Sequence, residues 1–97
     1  MELSLFNEIV SSGEKSIVIL SSEFCSPCKI LKGTVDGIFS GNFGLEGRIL
    51  IEDVLESGEI VSLLGVQTVP VVIFISNGSY VFEKGNLSRD RLVSFFD

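Results

Sequence analysis

The rhythm of apolar and polar positions changes several times along the 97 residues, and each change marks an element. In Leu3-Ser4-Leu5-Phe6-Asn7-Glu8-Ile9-Val10, Leu5 or Phe6 recurs with Ile9 and Val10 at helical spacing. With Gly13 as a stop, this predicts a helix over roughly 3–12. Ser16-Ile17-Val18-Ile19-Leu20-Ser21 is a continuous β-branched run, the pattern of a strand covered on both faces and therefore central in its sheet. The rhythm breaks at Ser22-Glu23-Phe24-Cys25-Ser26-Pro27-Cys28-Lys29. Proline is tolerated there only in the first turn of a helix, so a helix starts at the cysteines. Its apolar face continues through Leu31, Val35, Ile38 and Phe39, while Gly33 and Gly37 weaken it and predict a bend or fraying near Gly33.

The glycine-rich stretch from Gly41 to Gly47 reads as a loop, and Arg48 to Val54 as a second strand. A short helix follows over Glu56 to Leu64, with Ile60, Val61 and Leu64 on one face and Gly65 at its end. Val69 to Ser76 and Ser79 to Phe82 flank Asn77-Gly78, a hairpin signal. Ser88 caps a last helix that turns Leu92, Val93, Phe95 and Phe96 inward, with Asp90 well placed in its first turn. No repeat or linker interrupts the chain. This order predicts an α/β fold over 1–97 as a single domain. Parallel strands joined by right-handed crossovers precede an antiparallel hairpin and a covering helix.

Composition narrows the function. A chain 45% apolar and 21% charged is not disordered, and one this short has no room for a second core. The longest uncharged run, Ile60 to Phe82, is broken by Gly65, Gln67, Pro70, Asn77 and Gly78, so no membrane span or membrane partner is expected. Met1-Glu2-Leu3-Ser4 lacks the basic and apolar segments of a secretory signal, which predicts a reducing, cytoplasmic location. Seven scattered Lys and Arg against thirteen Asp and Glu, net charge −6, leave no footprint for a nucleic-acid partner. The absence of histidine excludes Ser-His and Cys-His dyads, imidazole metal sites and imidazole pH switches.

Cys25 and Cys28 remain as the soft nucleophiles. A four-residue loop constrains the unfolded chain too little for a structural staple, so the spacing points to chemistry. At a helix start, free N–H groups and the positive end of the macrodipole favour a negative sulfur at Cys25, and Lys29 adds positive charge. Spacing of three puts Cys28 on the same face, one turn along and more shielded, placed to resolve a mixed disulfide formed at Cys25. Pro27 limits the backbone between them and keeps the sulfurs within disulfide range. Two other readings compete: a buried pair of small hydrophobes, and half of a four-thiolate metal site completed by a second chain. Glu23 reads as a solvated loop carboxylate, yet it is the only carboxylate within three residues of Cys25. Phe24 is either core or part of an exposed apolar docking patch.

Phe24-Cys25-Ser26-Pro27-Cys28-Lys29 resembles the active-site segment of the thioredoxin family, with Phe24 at the usual tryptophan and Ser26 at the usual glycine. Leu64-Gly65-Val66-Gln67-Thr68-Val69-Pro70-Val71 resembles the family's cis-proline loop, and Gly85-Asn86-Leu87-Ser88 its glycine loop and helix cap. The likeness runs from Phe6 to Phe96. It implies a thioredoxin-like fold, a three-layer sandwich around a mixed sheet of about four strands, the family's first strand being absent. It also implies a protein-disulfide reductase in which Cys25 attacks and Cys28 resolves, while Phe24, Ser26, Pro27, Thr68, Val69, cis-Pro70 and Gly85 bind substrate. No bound cofactor is implied, and electrons would come from an NADPH-dependent flavoprotein reductase. The alternative is a binding or redox-sensing module with little turnover. Three positions depart from the pattern: the family's buried acid falls on Ile19, its neighbouring lysine on Ile51, and its helix-kinking proline on Gly33.

Overall fold

The computed structural model describes residues 1–41 and 43–97. It contains α1 (Leu3–Ser11), β1 (Ser16–Ser21), α2 (Ser26–Gly41), β2 (Ile49–Asp53), α3 (Gly58–Leu64), β3 (Val71–Ser76), β4 (Ser79–Lys84) and α4 (Arg89–Ser94). Short 3-10 turns occupy Phe43–Leu45 and Val54–Glu56. Within the stretch expected to be a loop, Gly41 therefore closes α2 and a 3-10 turn follows, while the expectation for Asn42 lies outside the described residues.

The sheet runs β2-β1-β3-β4, which puts the continuous apolar run of β1 at its centre. β1 pairs with β2 in parallel, with Ile19 opposite Ile51. It pairs with β3 antiparallel, and β3 with β4 antiparallel. The expectation of successive parallel strands is thus met only by β1 and β2. The cause lies in the length of α3. Its seven residues rise about 10 Å, whereas a strand of five or six residues covers about 17–20 Å. The chain does not get back to the end where β2 began, and it enters β3 from the end where β2 left.

Alternation along the strands divides the core in two. Ile17, Ile19, Val72 and Phe74 face Leu31, Val35 and Ile38 of α2 and Leu92 of α4. Val18, Leu20, Val71, Ile73 and Ile75 face Phe6 of α1 and Ile60 of α3. Helices on both faces make the three layers. Phe6 is the buried member of the Leu5/Phe6 pair, at 0% exposure against 45%. α2 continues through Gly33 and Gly37 without fraying. Both glycines look outward, with nothing within 4 Å of where a Cβ would sit, so buried Leu31, Val35 and Ile38 hold the helix past them. Asn77 (φ 53°) and Gly78 (φ 78°) form the hairpin turn. Ser88 Oγ accepts the Arg91 N–H at 3.1 Å and caps α4. Among the described residues no helix is long and apolar enough to cross a membrane.

Candidate active site

The turn after β1 is closed by the Cys25 N–H, which donates to the Ser22 carbonyl at 3.3 Å. The Lys29 N–H donates to the Cys25 carbonyl at 3.2 Å, so Cys25 is the capping residue of α2. Its Sγ accepts the Cys28 N–H at 3.1 Å, the position a serine or aspartate oxygen takes in an ordinary N-cap. Pro27 lies in the first turn, where its missing N–H leaves no intrahelical bond unmade. Cys25 and Cys28 are joined in a disulfide with Cα atoms 5.2 Å apart. Cys25 is partly exposed, whereas Cys28 is buried.

A second segment arrives from α3. Gly65 takes the left-handed conformation (φ 67°) that turns the chain out of the helix. The Val69 carbonyl oxygen then lies 3.7 Å from Cys25 Sγ. The Val69-Pro70 peptide is cis, and Pro70 is buried. The Pro70 carbonyl accepts the Gly85 N–H at 2.9 Å, one step beyond the Val71–Lys84 pair of the β3–β4 ladder. Gly85 has φ 87°, a conformation in which a side chain is strained.

Of the residues singled out in the sequence, Cys25, Cys28, Val69, Pro70 and Gly85 are connected by these bonds and contacts. Phe24, Ser26, Pro27 and Thr68 join them through chain adjacency, and all four are exposed. Phe24 is 89% exposed, which removes its reading as core. Ile51 lines a groove together with Cys28, and Ile19, at 1% exposure and paired in register with Ile51, belongs to the apolar core on the α2 side of the sheet. Beside Cys28 a groove opens between the start of α2 and the end of β2, bordered by Glu23, Lys29, Lys32 and Asp53. Sequence reasoning missed Lys32 and Asp53. The parallel register of β1 with β2, which puts Ser21 opposite Asp53, brings them here, and no local spacing records it. Among the described residues no group of three or more His, Cys, Asp or Glu side chains is arranged to hold a metal ion.

A helix-start dithiol facing a cis-proline on a mixed sheet defines a class of thiol-disulfide exchange proteins. The thioredoxin family model matches residues 1–97. Thioredoxin of Rickettsia typhi is 30% identical over 90 residues, spanning 93% of this chain and 85% of that protein. The structure of mitochondrial thioredoxin 3 from Saccharomyces cerevisiae, in its oxidised form, superposes with a TM-score of 0.78 at 19% identity, covering 96% of this chain and 86% of that one. Fasciola hepatica thioredoxin gives 0.77 at 17% identity, covering 98% and 91%. The chain belongs to the thioredoxin family. It is a thiol-disulfide oxidoreductase of the kind that acts on protein disulfides.

Proposed function

We propose that the chain, acting as one domain over 1–97, reduces protein disulfides with Cys25 as nucleophile and Cys28 as resolving thiol. The observation that carries this reading is the surroundings of the Cys25 sulfur. It accepts an amide N–H at the start of α2, where the helix dipole favours a thiolate, and it stays partly exposed. A substrate strand lies along Val69, whose N–H makes no backbone bond among the described residues, and pairs with it as an added strand. Cis-Pro70 and Gly85 shape that edge, and Phe24, Ser26, Pro27 and Thr68 form the surrounding contact surface.

The Cys25 thiolate attacks one sulfur of the substrate disulfide. The substrate S–S bond breaks, a mixed disulfide forms at Cys25, and the first substrate thiolate leaves and takes a proton from solvent. Cys28 then attacks Cys25 Sγ, closing the intramolecular disulfide and releasing the second thiol. Two electrons pass from the dithiol to the substrate, with no bound cofactor beyond the cysteine pair. An NADPH-dependent flavoprotein reductase, the electron source the family likeness implies, returns the pair to the dithiol in a reducing compartment such as the cytoplasm.

Insulin reduction with dithiothreitol tests this. The protein at catalytic concentration accelerates precipitation of the reduced chains severalfold over dithiothreitol alone. Binding of clients without acceleration would instead favour a docking or redox-sensing module, the reading that the exposure of Phe24 supports.

A further inference from the structure

Resolution requires Cys28 to lose its proton, yet Cys28 is 5% exposed, and neither Ile51 beside it in the groove nor Ile19, the sheet partner of Ile51, can accept one. Its opening toward titratable groups is the groove beside α2, about 420 Å³ in volume. A water molecule occupies about 30 Å³ of liquid, so the groove has room for a chain of several waters. Three carboxylates border it. Glu52 alternates with Ile51, falls on the face of β2 that carries Leu50, and is engaged by the Met1 ammonium, which lies 3.6 Å from its Oε1. Asp53 Oδ1 is engaged, accepting the Leu55 N–H at 2.8 Å as the cap of the 3-10 turn. Glu23 enters no ion pair or hydrogen bond among the described residues. It stands two residues before Cys25 in the turn that presents the pair. Lys29 and Lys32, nearly one helical turn apart, border the same groove and offset negative charge that develops in it.

We infer that Glu23 accepts the proton of Cys28 through the water of this groove. The inference rests on the proposed role of Cys28 as the resolving thiol. The Cys28 S–H bond breaks and its proton passes through water to the Glu23 carboxylate. The Cys28 thiolate attacks Cys25 Sγ, the Cys25–Cys28 bond forms, and the bond from Cys25 to the substrate sulfur breaks. The departing substrate thiolate takes the proton back from Glu23, so the carboxylate is regenerated. Glu23 works as a relay in a groove that Lys29, Lys32 and Asp53 also border.

Single-turnover reaction of the full, reduced chain with 5,5′-dithiobis(2-nitrobenzoate) separates the steps, because attack releases one thionitrobenzoate and resolution releases the second. In Glu23→Gln the ratio of second to first release rate falls about tenfold, less than the contribution of a base in direct contact with its proton. Its rate–pH profile also loses an inflection. Glu23→Asp restores most of the ratio, and added acetate speeds the second release of Glu23→Gln. A Glu23→Gln ratio equal to wild type at every pH overturns the inference while leaving the dithiol mechanism standing. A fall that neither Glu23→Asp nor acetate reverses overturns it as well, since it marks a structural effect. A wild type that releases only one thionitrobenzoate overturns both the inference and the role of Cys28.

Discussion

The middle of the sheet and the rim where β1 and β2 end follow opposite rules. In the middle, Ile17 to Leu20 of β1 and Val71 to Ile75 of β3 are at most 2% exposed, and the two strands pair along their length. At the rim, Phe24 and Leu55 stand 89% and 85% exposed, and the Val69 N–H makes no backbone hydrogen bond among the described residues. Packing of the first kind stabilises the fold by roughly 1.5–3 kcal/mol per large side chain buried. Applied to the rim, it would close Cys25 off from any disulfide on another protein. Stability and chemistry are therefore held in different places, and substitutions should affect one or the other.

The largest effect belongs to the rim. Cys25→Ser is expected to abolish insulin reduction, since no thiolate remains to attack. Its stability, compared with the reduced wild type in urea, stays within about 0.5 kcal/mol, because serine is itself a preferred N-cap for the Cys28 N–H. A destabilisation beyond about 2 kcal/mol would show the rim carrying the fold and break the comparison. Next comes Phe74→Ala in the middle. Phe74 is 2% exposed, its ring lies 5.0 Å from that of Phe95, and the Arg91 guanidinium sits 4.1 Å over it. Urea unfolding should show a loss of about 3–5 kcal/mol. Molecules that remain folded should have Cys25 alkylated by iodoacetamide at the wild-type rate.

The same division explains what was legible in the sequence. β1 runs from Ser16 to Ser21 as the apolar run predicts, and the Asn77-Gly78 turn and the Ser88 cap fall where their residues place them. Each is decided by residues within a few positions of one another. So is the cysteine pair at the start of α2, where a sulfur, a proline and a helix terminus suffice. The direction of β3 was not legible, because it depends on how far seven residues of α3 carry the chain. β3 starts at Val71 rather than Val69 because Val69-Pro70 belongs to the cis loop, and β4 extends past Phe82 to Lys84 because an edge strand tolerates charged residues. The groove beside Cys28 was hidden for a similar reason. It exists only where two parallel strands come into register, and neither strand alone encodes it.

Gly65 lies on the boundary between the two regions, ending α3 and sending the chain toward Val69. At φ 67° with nothing within 4 Å of the missing Cβ, Gly65→Ala meets backbone strain without collision. A loss of about 1–2 kcal/mol is expected in urea unfolding. A loss near zero would mean that the backbone relaxes out of the left-handed conformation. The Val69 loop should then move as well, and insulin reduction should fall with it.

The smallest effect on stability, and the sharpest test of the division, belongs to Phe24. A phenylalanine 89% exposed contributes almost nothing to the core, so Phe24→Ser should change unfolding free energy by less than about 0.5 kcal/mol. Its effect should appear only when a protein substrate covers it. Partial burial of the ring against a partner, worth on the order of 1 kcal/mol by area, lowers kcat/KM for insulin about fivefold and acts mainly through KM. A small disulfide such as oxidised glutathione presents little surface to cover the ring, and its rate should stay within about twofold. Equal losses for both substrates would mean that Phe24 acts on Cys25 itself. The exposed apolar side chain would then belong to the chemistry of the sulfur rather than to docking, and the rim would need a second division, between residues that tune the nucleophile and residues that only hold the substrate near it.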